Sequence, residues 1–89
     1  MEFQRHHFSK SQYDLLNGLL HEEKLVLDFS NSFVAEVYDP NLSHWESHKI
    51  GELHLSRRSQ ESFGVLYFEP DSRLSNLVKQ LTEDLVSFK

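Results

Sequence analysis

A chain of 89 residues is one domain's worth of sequence, with room for a modest apolar core and, lacking cysteine, no means of stapling it. The absence of Cys also removes thiolate zinc sites and cysteine nucleophiles. A formal charge of −5 opposes the basic surface that nucleic-acid phosphates or anionic membranes require, so neither is expected as a partner.

The opening residues, MEFQRHHFSK, lack the basic and apolar regions of a secretory leader. No apolar run approaches the roughly 20 residues of a membrane span, and a soluble, cytoplasmic protein is expected. Residues 1–7 read as a flexible arm or a short strand, in which Phe3, Arg5 and His7 share a face.

Residues 8–23 predict the first helix. Ser9 is a good N-cap and Gln12 stands three residues on, the spacing of a capping box; Phe8 can pack on Tyr13 as a hydrophobic staple. Leu15, Leu16, Leu19 and Leu20 extend an apolar stripe from Tyr13. Gly18 weakens the helix by about 1 kcal/mol relative to Ala, but ending it at Asn17 would strand Leu19 and Leu20, so it continues to about His21.

Residues 24–39, KLVLDFSNSFVAEVYD, alternate with a period of two on either side of Ser30-Asn31-Ser32 and predict a hairpin. Residues 39–49 form the longest irregular stretch. Ser43 with Glu46 has capping-box spacing, which predicts a single helical turn over His44–His48. Ile50 to Ser56 resumes alternation, with Leu53 and Leu55 opposite Glu52 and His54. The polar stretch SRRSQES then leads into FGVLYF, read as a central strand buried on both faces. Asp71 or Ser72 caps the closing helix, whose stripe is Leu74, Leu77, Val78, Leu81, Leu85 and Phe88.

The order is therefore α-β-β-β-β-α in a single domain. The expected fold is α+β: a four-stranded antiparallel meander with the N- and C-terminal helices on one face. One helix on each face is the alternative.

Little in the chain points to catalysis. It has three glycines, no G-x-S-x-G and no Gly-rich phosphate loop, and its serines cluster in polar turns. No enzyme activity is expected. His44 and His48 have the i, i+4 spacing of a helical chelate, and His54 could add a third imidazole for zinc; two histidines in a solvated loop is the plainer reading. Trp45, the single tryptophan, lies in a polar loop, either as an interface anchor or as a lid on the sheet. Arg57-Arg58 at a hairpin tip would meet an acidic group or guard against edge pairing.

The expected function is that of a small acidic protein–protein interaction module: a regulator, inhibitor, immunity-type protein or adaptor. The contact residues are His44, Trp45, Glu46, His48, Arg57 and Arg58. The alternative is a homodimer, built through an edge strand such as Ile50–Ser56 or through the last helix, with a structural or metal-linked role.

Overall fold

A computed structural model describes residues 2–87, with side chains described through residue 82. The elements run β1 (Gln4–Phe8), α1 (Lys10–Glu22), β2 (Val26–Phe29), β3 (Val34–Tyr38), β4 (Lys49–Leu55), β5 (Gly64–Phe68) and α2 (Arg73–Ser87), with a short 3-10 turn at Trp45–Ser47. The sheet is antiparallel with strand order β1-β5-β4-β3-β2. The α+β class, with an antiparallel sheet and two helices, is as expected, but the sheet has five strands and not four. The opening segment is not an arm. It lies against β5 from Gln4 opposite Phe68 to Phe8 opposite Gly64.

The first helix starts where its local chemistry places it. Ser9 accepts a hydrogen bond from the Gln12 N–H, and the Gln12 side chain accepts one from the Ser9 N–H. The Phe8 and Tyr13 rings stack with centroids 5.8 Å apart. The helix runs through Gly18 to Glu22. Only Leu16 and Leu20 of its leucines are fully buried; Leu15 is 40% exposed. In the β2–β3 turn, Asn31 Oδ1 accepts from the N–H groups of Phe33 and Val34, a side-chain-closed turn that needs no glycine. Ser72 caps α2, with its Oγ accepting from the Ser75 N–H.

Both helices serve one core. Phe8, Ala35, Val37, Leu53, Leu55, Leu66 and Phe68 project from one side of the sheet and cluster with Leu16 and Leu20 of α1 and Leu74, Leu77, Val78 and Leu81 of α2. Leu85 and Phe88, expected on the same stripe, and Glu83 and Asp84 beside it, lie outside the described side chains. FGVLYF is internal but not buried on both faces. Leu66 and Phe68 are buried while Val65 and Tyr67 are half-buried, because no helix covers their side. Ile50–Ser56 cannot serve as an edge, since β4 is bonded to β3 and β5; the edges are β1 and β2.

Two features fix how the layers meet. Gly51 lies under α2, where an added Cβ would press on the Tyr67 carbonyl oxygen and come within 2.5 Å of Leu74 Cδ2. Close helix-on-sheet approach therefore requires glycine there. Arg73, which precedes the apolar stripe of α2, binds three elements at once. Its guanidinium donates to Asp39 Oδ1 (2.7 Å), the Glu23 carbonyl (2.6 Å) and Glu23 Oε2 (2.8 Å). The start of α2 is thereby fastened to the end of β3 and the C-cap of α1. Asp39 is 2% exposed, so Arg73 is the partner that offsets burying its carboxylate.

Candidate functional site

The face opposite the helices is open, and its polar centre is built by one extra residue. Val37 pairs with Gly51 but Tyr38 pairs with Lys49, so Ile50 is a bulge in β4. Strict alternation would send Ile50 outward and Lys49 inward. The bulge instead buries Ile50 next to Gly51, with Ile50 1% exposed, and turns Lys49 onto the open face. There it answers a local problem. Glu36 and Glu52 stand directly opposite each other in the β3–β4 register, an unfavourable like-charge pair. Lys49 Nζ bonds Glu52 and lies 3.4 Å from Glu36.

The network extends both ways. His54 Nε2 lies 2.8 Å from Glu52, and its ring meets Tyr67 edge-on at 4.9 Å. Tyr38 donates its hydroxyl proton to Glu36 at 3.2 Å. Lys49, and secondarily His54, hold the Glu52 carboxyl below its ordinary pKa; the Glu52 hydrogen bond raises that of Lys49. Both shifts have the sign of mutual ion pairing.

At the β3 end this strip meets the 45–47 turn. Trp45 is half-buried, its ring edge-on to Tyr38 at 6.2 Å and 70°. Val26, Leu27, Asp28, Tyr38, Trp45 and Glu46 line a shallow open groove of about 320 Å³ along β2. Its lining combines aromatic and aliphatic side chains with the Asp28 and Glu46 carboxylates. Arg5 and His7 stand at the far β1 edge of the same face, Arg5 opposite Tyr67.

The sequence-predicted residues divide. Trp45 and Glu46 belong to the groove. His44 is exposed, in left-handed backbone at φ 55°, and precedes a three-residue 3-10 turn. The expected helical turn over His44–His48 forms as a 3-10 turn, Trp45–Ser47, flanked by His44 and His48 and not capped by the Ser43 side chain. The i, i+4 geometry that would pair His44 with His48 therefore does not form. His48 faces Glu69 at 3.1 Å. His54 lies toward the other end of β4, about 20 Å away at roughly 3.3 Å per residue. Among the described residues, no three His, Asp or Glu side chains gather as a metal site.

Arg57 and Arg58 follow the far end of β4, so they form a separate patch and not one surface with Trp45. Arg57 is also in left-handed backbone, at φ 51°. Its N–H and that of Ser56 both donate to the Phe63 carbonyl, at 2.9 and 3.0 Å.

Sequence reasoning missed Lys49, Glu36 and Tyr67 in the network around Glu52, and Tyr38, Val26 and Asp28 as neighbours of Trp45. The alternation in β2 and β3 did place Val26, Asp28, Glu36 and Tyr38 on one face; the bulge at Ile50 had no signal apart from two consecutive small or apolar residues, Ile50-Gly51.

Comparison with known protein families, with curated proteins and with solved structures finds no match to this chain. No described helix is long and apolar enough to cross a membrane.

Proposed function

We propose that this protein is a small acidic protein-binding module that occupies a partner protein, as a regulator, inhibitor, immunity-type protein or adaptor, without catalysis. The observation that carries this reading is the Trp45 groove. A half-buried indole, edge-on to Tyr38, lies in a groove that the Asp28 and Glu46 carboxylates also line. Aromatic anchors held by a neighbouring ring are the residues that dominate binding energy at protein interfaces, and the carboxylates select a partner with basic residues. The side chains involved are outside the main core, so recognition and folding draw on different residues.

The test is co-purification from native-host lysate with the intact protein and with Trp45→Ala. A partner captured in near-stoichiometric amount by the native chain and lost from the variant, with far-ultraviolet circular dichroism unchanged, supports the reading. Truncating a central aromatic anchor typically costs 2 kcal/mol or more, about thirtyfold in affinity. Equal capture by a folded Trp45→Ala protein would remove the groove from the interface. A homodimer is the second reading, favoured by the two free edges at β1 and β2; light scattering across a concentration series tests it directly.

A further inference from the structure

We infer that β2 is a docking edge that accepts an extended segment of a partner protein as a sixth strand, and that this segment alternates apolar and basic residues. The inference rests on the reading of the protein as a partner-binding module and specifies how the partner is held.

The backbone defines the edge. Ser30 donates to the Val34 carbonyl at 3.1 Å, and Leu55 donates to the Phe33 carbonyl at 2.7 Å. In antiparallel pairing the bonded residues alternate. The even residues of β3, Val34, Glu36 and Tyr38, therefore bond toward β2, and the odd ones toward β4. Across the register, Val26 and Asp28 bond to β3, while the N–H and C=O groups of Leu27 and Phe29 point to the free side. Among the described residues nothing else bonds them.

The side chains define the segment. A strand laid along β2 shows alternate residues to the two faces of the sheet. On the helix side it meets Leu27 and Phe29, with Phe33 beyond. Phe29 is 47% exposed and Phe33 54%, although their face is the core face. On the open side it meets Asp28 and the groove of Tyr38, Trp45 and Glu46. Lys49 is the nearby cation and is already held by Glu36 and Glu52. Asp28 and Glu46 form no ion pair among the described side chains, so a cation on the incoming strand has carboxylates to meet. An apolar residue toward Phe29 followed by a basic one toward Asp28, repeated with a period of two, satisfies both faces. The same charges argue against a second copy pairing by a two-fold axis at β2, which would bring two Asp28 carboxylates onto one face of adjacent strands.

The experiment titrates the intact protein with a nine-residue peptide of alternating valine and lysine, against a valine–glutamate peptide of equal length. Trp45 fluorescence reports groove occupancy, and amide hydrogen exchange by NMR reports the edge. The expected result is saturable, salt-weakened binding of the valine–lysine peptide only, with slowed exchange at Leu27 and Phe29, and affinity about tenfold lower for Asp28→Lys. A Trp45 response without protection at Leu27 and Phe29 overturns strand addition and leaves the module reading standing. So does silence toward the peptide up to about 1 mM while a lysate partner is still captured through Trp45. Silence toward the peptide together with no Trp45-dependent capture overturns both. Concentration-dependent growth of oligomers with protection at Leu27 and Phe29 in the absence of peptide overturns the basic partner in favour of another copy of this chain.

Discussion

Replacing Arg73 with Met keeps an apolar stem of similar length and removes the charge that joins α1, β3 and α2. Removing one partner of a buried ion pair costs about 3–5 kcal/mol, most of it from the charge left behind. Here the loss is smaller. The Arg73–Glu23 half involves side chains 28% and 44% exposed, a surface-like pair worth about 0–1 kcal/mol. Asp39 is the costly half, with its side chain 3% exposed, yet it keeps one hydrogen bond from the Asn41 N–H at 3.0 Å. A loss of about 2–3 kcal/mol follows. At roughly 4–8 °C per kcal/mol for a domain of this size, Tm falls by about 8–24 °C. Urea unfolding followed by circular dichroism measures the loss directly. Adding Asp39→Asn in the Arg73→Met background removes the stranded charge and recovers about half of it. A loss below about 1 kcal/mol, or a double variant no more stable than Arg73→Met, would show that Asp39 is solvated well enough without its partner.

Gly51→Ala drives a methyl group into the Tyr67 carbonyl and Leu74 and lowers stability by about 2–3 kcal/mol, read from the urea midpoint; an unchanged midpoint would mean that α2 can lift off β4 freely. Arg57→Gly relieves left-handed backbone at φ 51° and raises stability by up to about 1 kcal/mol, partly offset by the freedom glycine adds to the unfolded chain; a lower midpoint would contradict it. Among the described residues, His6 Nε2 is buried without a hydrogen-bond partner, and burial, with a smaller contribution from His7, lowers its pKa from 6.5. The unfolded chain therefore binds this proton at a pH where the folded chain does not. Stability is fully present above about pH 6.5 and is lost as pH falls toward the folded value. His6→Leu should flatten that slope in urea midpoints collected between about pH 7.5 and 5, and an unaltered slope would assign the acid sensitivity to other groups.

What the sequence made legible was local. The start of α1 was readable because Ser9, Gln12, Phe8 and Tyr13 lie within six residues of one another and satisfy each other. The β2–β3 hairpin and the stripe from Leu74 to Leu81 were readable because their periods report which side meets the core. β1 was not, because QRHHF has little apolar alternation; it becomes a strand by pairing with β5, about sixty residues later in the chain. The role of Arg73 was hidden for the same reason, since its partners lie 34 and 50 positions away. At the candidate site, Trp45 stood out as a lone aromatic in a polar loop. The residues around it depended on strand order and on the bulge. Arg57 and Arg58, expected as a second contact at a hairpin tip, lie a whole strand away from Trp45.

The bulge at Ile50 also sets where this chain can change length. Residues 40–48, past the buried Asp39, are irregular and can gain or lose residues while the strands stay in phase. Deleting one residue at positions 49–51 would instead restore strict alternation. Each such deletion removes something the fold uses: Lys49, which separates the Glu36 and Glu52 carboxylates, the buried Ile50 side chain, or the glycine beneath α2. Insertions and deletions are therefore cheap on one side of Lys49 and prohibitive on the other, which makes the Trp45 loop the natural place for such a protein to vary its surface while its fold stays the same.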